Sequence, residues 1–298
     1  MDNVLSIKNL YKNYGKIKAV SDLSLNVPEG SVFGILGPNG SGKTTTLGII
    51  LDVINPTSGT YEWFRNFTKK ENRQKIGSIL ETPAFYPYLS ALRNLKIIAD
   101  IKGIDYGNIN NVLKIVGLYE RRDYNFSTYS LGMKQRLAVA SALLCDPMVM
   151  VLDEPTNGLD PQGIAEIREV IKNIAKQGKT VILASHLLDE VQKVCTHFAV
   201  LNYGNLIYNG SVDEALTDQQ VVEVNSSEPG KLEKILNKFP GKIKVENENN
   251  KIIVTLEKNK SVIDLSTYLT ENKIIVTHLV VRKKSLEQQF LDILNESK

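Results

Sequence analysis

The stretch Gly37-Pro38-Asn39-Gly40-Ser41-Gly42-Lys43-Thr44 has the spacing G-x-x-x-x-G-K-S/T, the pattern of a phosphate-binding loop. Its glycines let backbone N–H groups turn inward onto phosphate oxygens, and the helix behind it adds the partial positive charge of its N-terminus. Lys43 would reach the outer phosphates of a nucleotide, and the Thr44 hydroxyl would hold Mg²⁺. Residues 37–45, ending in Thr45, form the candidate cradle. A second constellation is Asp153-Glu154, which closes the apolar run Met148-Val149-Met150-Val151-Leu152. An acid at the end of a buried strand can hold Mg²⁺, the role that fits Asp153. Neighbouring residues on a strand point to opposite sides, so Glu154 can face an attacking water instead. A third is Ser185-His186, at the end of Thr180-Val181-Ile182-Leu183-Ala184. That histidine could read a terminal phosphate. Taken alone, a hydrogen-bonded structural histidine is the simpler reading.

These groups need strands and helices to hold them. Ser31–Leu36 is an apolar run of strand length before the loop, and Thr45–Leu51 reads as the helix after it. Residues 4–10 and 17–27 read as earlier strands. Between them lies the turn Tyr11-Lys12-Asn13-Tyr14-Gly15, where an exposed aromatic could stack on a base or could equally be a core tyrosine. Thr60–Phe67 and Ile76–Leu80 read as strands, and Lys69–Gln74 as an exposed charged stretch. Residues 90–122 read as two helices broken around Gly103–Gly107. Ser130 caps a helix from Leu131 to about Cys145, which Asp146-Pro147 stops. A helix over Gln162–Gln177, another over Leu187–Cys195 and a hairpin around Tyr203-Gly204 follow.

Composition narrows the classes. With 298 residues the chain can hold one large domain and one small one, and its 42% hydrophobic and 23% charged content is ordinary for a globular protein. A net charge of only +3 does not argue for a nucleic-acid partner. Two cysteines, Cys145 and Cys195, are too few for a disulfide framework and fit a reducing compartment. The N-terminus carries an early acid and no apolar core, so no signal peptide is expected. No apolar run approaches the roughly 20 residues that span a bilayer.

Taken together, the motifs resemble those of the ATP-binding cassette (ABC) transporter ATPase subunits, in the family's order, over roughly residues 4–216. Asn157-Gly158-Leu159-Asp160 is similar to the D-loop, with Asp160 at its end. Tyr129-Ser130-Leu131-Gly132-Met133 is similar to the family signature Leu-Ser-Gly-Gly-Gln. It keeps Ser130 and Gly132 and loses the first glycine and the glutamine. Tyr14 aligns with the adenine-stacking aromatic. The resemblance implies an α/β P-loop fold with a RecA-like core, an antiparallel β subdomain and a helical subdomain over about residues 85–145. It implies ATP and Mg²⁺ as ligands, with Glu154 as general base and His186 on the γ-phosphate. It also implies a second ATP-binding subunit, in a homo- or heterodimer closed head to tail, whose nucleotide meets Ser130, Leu131, Gly132 and Met133. It further implies an integral membrane permease as partner, which would place this chain in the cytoplasm on the inner face of the membrane.

One departure narrows the subfamily. Glu81 stands where the family carries the Q-loop glutamine. Ile79-Leu80-Glu81-Thr82-Pro83 followed by Phe85-Tyr86-Pro87 is similar to the ATPases of bacitracin and lantibiotic self-protection exporters, as is Leu131-Gly132-Met133-Lys134-Gln135. Efflux is the implied direction, Glu81 a metal-side residue, and the loop 82–95 the part facing the permease. Two other classes fit less well. Soluble ABC ATPases acting on DNA or ribosomes usually carry two cassettes or a coiled-coil insertion, and a P-loop kinase has no use for the signature.

Residues 217–298 read as an accessory α+β domain. Strands at Gln220–Val224, Lys242–Val245, Ile252–Leu256 and Ile274–Val281, with helices at Lys231–Lys238 and Val262–Leu269, give a β-α-β-β-α-β order like a small ferredoxin-type sandwich. Ser285–Leu294 reads as a final amphipathic helix.

Overall fold

The computed structural model describes residues 2–64, 68–80, 84–217, 221–248, 251–257 and 259–282. The chain forms two compact units, residues 1–210 and 211–298.

The first unit runs β1 (Asn3–Tyr14), β2 (Ile17–Pro28), β3 (Val32–Leu36), α1 (Lys43–Ile50), β4 (Ser58–Trp63), α2 (Lys69–Gln74) and β5 (Ile76–Ile79). It continues α3 (Ala91–Lys102), α4 (Ile109–Ile115), α5 (Leu131–Leu143), β6 (Val149–Asp153), α6 (Pro161–Lys176), β7 (Thr180–Ser185), α7 (Leu188–Val194), β8 (His197–Asn202) and β9 (Asn205–Ser211). Six strands form one sheet in the order β5-β6-β7-β3-β8-β9. From β5 through β8 neighbours are parallel. Strands in such a sheet are covered on both faces, which is why β3 and β7 are buried along their whole length. β2, β1 and β4 make a separate antiparallel sheet. Leu5, Ile7, Leu10, Leu23 and Leu25 from that sheet join Phe33, Ile35, Val149, Val151 and Ile182 in one core. The apolar area removed from water there, at roughly 25 cal/mol per Å², is what holds the two sheets together.

Several elements differ from their sequence reading. Tyr14 ends a strand rather than sitting in a turn, because pairing with β2 continues to Tyr14↔Ile17 and leaves only Gly15-Lys16 to reverse the chain. Lys69–Gln74 is a helix. Its N-cap Thr68 and Glu71 form a capping box that supplies what the absent apolar face does not. β4 ends at Trp63, and the rest of the expected strand falls partly outside the described residues.

The second unit runs α8 (Val212–Thr217), β10 (Val221–Ser226), α9 (Pro229–Leu236), β11 (Lys242–Glu248), β12 (Lys251–Leu256), α10 (Val262–Glu271) and β13 (Val276–Arg282). Its strand order is β11-β12-β10-β13 with every neighbour antiparallel, the arrangement of a split β-α-β sandwich. Val222, Val224, Ile252, Val254 and Leu256 face Leu232, Leu236, Leu265 and Leu269 from the two helices. The expected helix at 285–294 lies outside the described residues.

Candidate active site

The parallel register levels the chemistry. Leu36 pairs with Ser185 and Asp153 with Ala184, so the phosphate loop, the acid pair and the histidine leave the sheet at one edge. That edge, at the carboxyl ends of the strands, is where open α/β sheets bind ligands.

The loop is built by close backbone approach. Gly42 has φ +102°, and a Cβ there would lie 2.3 Å from the Ala19 carbonyl oxygen on β2. Only glycine fits both demands. The Ser41 carbonyl accepts from Gly204 N at 3.1 Å, so the β8–β9 turn braces the loop from behind. Gly37 N donates to the Ser185 carbonyl at 3.3 Å. Pro38, Asn39, Gly40 and Thr44 are exposed, and Ser41 is buried.

Lys43 is buried and holds three oxygens together. Its Nζ donates to the carbonyls of Gly37 at 2.8 Å and Pro38 at 3.2 Å, and lies 3.3 Å from Glu154 Oε1. Glu154 Oε2 is 2.8 Å from His186 Nδ1. The loop lysine, the second acid and the histidine are thus linked in one line across three strand ends. Glu154 itself has φ +45°, rare for a glutamate, and its N–H donates to the Ala184 carbonyl at 3.1 Å. The left-handed turn directs its side chain toward the loop rather than into solvent.

Asp153 is the last residue of β6, so Glu154 already lies in the turn beyond the strand and strand alternation does not set the two apart. Burial pushes the Asp153 carboxyl above the usual range, and the Glu154 charge adds to this, while the Thr44 hydroxyl and Lys43 pull it down. Its Oδ1 is buried without a hydrogen-bond partner, as is Ser41 Oγ. A buried carboxylate oxygen left unpaired beside a hydroxyl costs free energy unless a ligand completes it. Two hard oxygen donors at that spot fit a divalent cation bound mainly by phosphates and water.

Tyr14 is 47% exposed, with the Lys12 ammonium 4.9 Å from its ring centroid. The signature residues lie elsewhere on the unit. Ser130 caps α5 by accepting from Met133 N at 3.2 Å, and Leu131 is exposed. Ser130, Leu131, Gly132 and Met133 share a cleft of about 420 Å³ with Gly158, Asp160 and Arg136. Asp160 also caps α6, accepting from Gly163 N at 2.9 Å. Arg136 crosses this region to Glu166 at 3.1 Å. Arg136 follows the signature stretch in sequence, but its partner Glu166 carries no motif of its own. Glu81 lies outside the described residues.

The sheet order, the glycine-built loop and the strand-end acids define a P-loop nucleotide-binding cassette. Residues 20–157 match the family model described as ABC transporter. An uncharacterised ABC transporter ATP-binding protein of Bacillus subtilis, YhcH, is 38% identical over all of this chain and 98% of its own length. The bacitracin transport ATP-binding protein BcrA of Bacillus licheniformis is 46% identical over 70% of this chain and 69% of its own. The lantibiotic transport ATP-binding protein SrtF of Streptococcus pyogenes is 38% identical over 74% of this chain and 98% of its own. A dimeric ATP-binding cassette solved in a post-hydrolysis state with ADP and Pi is 28% identical, covering 70% of this chain and 98% of that one at a TM-score of 0.60. The chain belongs to the ATP-binding proteins of ABC transporters and is an ATPase subunit. Among the described residues no helix is long and apolar enough to cross a membrane.

Proposed function

We propose that the chain powers an exporter of peptide antibiotics or similar compounds, hydrolysing ATP on the cytoplasmic face of the membrane beside a separate permease. The efflux reading rests on the relatives that transport bacitracin and lantibiotics and on the similar stretches around Glu81 and Leu131. The hydrolytic reading is carried by one observation, the line Lys43–Glu154–His186 at 3.3 and 2.8 Å.

In this reading the N–H groups of residues 37–45 and the N-terminus of α1 receive the phosphates. Lys43 exchanges the Gly37 and Pro38 carbonyls for phosphate oxygens. That exchange also loosens its hold on Glu154, whose carboxylate then takes the proton of the attacking water. His186, ordered by Glu154, faces the γ-phosphate, and Tyr14 stacks on the adenine. Thr44 and Asp153 would hold Mg²⁺, which when bound neutralises charge on the phosphates. Glu81 takes the Q-loop position by resemblance, and the metal side because a carboxylate there keeps the acceptor and adds a charge that favours a divalent cation; it then links the site to loop 82–95. A second copy or a related subunit supplies its signature residues across a head-to-tail dimer, and Ser130 with the N-terminus of α5 does the same in return.

The test is Glu154→Gln. Turnover should fall by about 10²–10⁴-fold, while ATP binding persists and an ATP-dependent dimer accumulates on gel filtration. Near-normal turnover would remove Glu154 from the mechanism. Co-purification with a membrane protein, and sensitivity of a deletion strain to bacitracin-type peptides, test the exporter reading.

A further inference from the structure

Beneath the site, α7 carries a carboxyl group that this mechanism leaves unused. Glu190 is 4% exposed and lies on a helix face shared with Val191 and Val194. Its Oε2 accepts hydrogen bonds from the Thr156 hydroxyl at 2.6 Å and from the Ser185 hydroxyl at 3.1 Å. Its Oε1 is buried with no hydrogen-bond partner. Both donors are buried too. Burial, and then Glu190, push the Cys195 thiol upward.

The positions of the two donors give the contact its meaning. Thr156 lies two residues beyond Glu154, and Ser185 immediately precedes His186. Ser185 Oγ also accepts from Leu187 N at 3.0 Å, which ties the chain on both sides of His186. Glu154 sits in a left-handed conformation that its own residue type does not favour. The direction of its side chain therefore depends on what pins the turn after it. We propose that Glu190 is a positioning residue for hydrolysis, joining Thr156 to Ser185 and so fixing the approach of Glu154 to His186. The inference rests on the roles given to Glu154 and His186 above.

Placement of a buried hydroxyl pair needs an acceptor of the right shape rather than a charge. The test compares ATP binding, KM and kcat for the full chain carrying Thr156→Val, Glu190→Leu or Glu190→Gln, with Glu154→Gln as reference. Thr156→Val removes one donor at nearly constant volume and should lower kcat about tenfold while KM stays within about twofold. Glu190→Leu should lower kcat further, about a hundredfold. Glu190→Gln keeps an oxygen that can accept both bonds and should return kcat to within about threefold of the parent.

Parent-like kcat in Thr156→Val, or Glu190→Gln as inactive as Glu190→Leu, would overturn the proposal. So would a rise in KM that tracks the fall in kcat, the pattern of lost nucleotide binding, or a calorimetric ATP stoichiometry that falls in step with kcat, the pattern of a partly unfolded preparation. Should Glu190→Leu fail to fold, Thr156→Val and Glu190→Gln decide alone. The two readings fail separately. Normal turnover in Glu154→Gln overturns the general base, whereas an inactive Glu154→Gln beside a parent-like Thr156→Val overturns only the positioning role.

Discussion

The two units treat backbone strain and buried polar atoms differently. In the cassette unit, Glu154 takes a left-handed conformation at a strand end, and Ser41 Oγ, Asp153 Oδ1 and Glu190 Oε1 are buried without hydrogen-bond partners. Among the described residues of the C-terminal unit the left-handed non-glycine residue is Lys273, in the turn after α10. Its buried Glu223 pairs with Lys251 and with His278, the latter at 2.7 Å. Its α10 opens with a complete capping box from Ser261 and Asp264. In the C-terminal unit the buried Glu223 is met by two cations of that unit, whereas in the cassette Ser41 Oγ and Asp153 Oδ1 stay open at one sheet edge. An unpaired buried polar group costs stability, so Ser41 Oγ and Asp153 Oδ1, next to the phosphate loop, mark where a ligand is meant to complete the structure.

On nucleotide affinity, the largest effect should come from removing the cation beside the open set. In Lys43→Ala the carbonyls of Gly37 and Pro38 lose their donor and the phosphates lose a charged contact. ATP affinity, measured by calorimetry, should fall about 10–100-fold, and turnover with it. ATP binding equal to the parent would mean that Lys43 serves the loop and not the nucleotide.

Gly42→Ala attacks the shape of the same set without touching its charges. A Cβ at φ +102° is strained by about 1–3 kcal/mol, and it meets the Ala19 carbonyl oxygen at 2.3 Å. The loop must shift, so ATP affinity should fall about tenfold, with a lowered Tm. A parent-like Tm would show that β2 yields easily at Ala19.

Asp153→Asn should separate the costs of the site from its use. Burial raises the native carboxyl pKa above its unfolded value. Stability therefore falls as pH rises from the ordinary carboxylate range through the raised native value, and the loss persists at neutral pH. Asparagine keeps an acceptor for the Thr44 hydroxyl and removes the charge. The nucleotide-free variant should melt about 2–4 °C higher than the parent at pH 7, with little difference near pH 3, and should lose Mg²⁺-dependent hydrolysis. A lower Tm at pH 7 would show that the acid stabilises the empty site.

The parts of this picture that sequence carries are those with local spacing. The phosphate loop, the apolar runs that end in Asp153 and Ser185, and the Ser130 cap are all written within a few residues of one another. The C-terminal strand and helix order was readable for the same reason. What sequence did not carry depends on partners far along the chain. Gly42 needs to be glycine partly because of Ala19, which packs against it from β2. Glu154 reaches Lys43 and His186 only through the parallel register of three strands. α2 has no apolar stripe to read, and its one signal was Thr68 followed by Glu71. Glu190 did leave a trace. Four residues before Val194, it places a carboxyl on the apolar face of a short helix, where an acid needs a partner.

The smallest effect is expected from removing the C-terminal unit. The cassette core draws its buried members from Val4 to Leu201, and the C-terminal core draws its own from Val222 to Ile274. No sheet holds strands from both units among the described residues. Each sandwich therefore has its own apolar layer, the condition for folding alone. A chain ending at Ser211 keeps β9 and every candidate nucleotide residue. It should stay soluble, unfold in one transition and bind ATP within about twofold of the parent. The full chain should show a second calorimetric transition that the shortened chain lacks, because the removed unit has a core to melt. An insoluble product, or ATP affinity reduced by more than about tenfold, would mean that the C-terminal residues complete the cassette and that the contrast between the units is not a division of the fold.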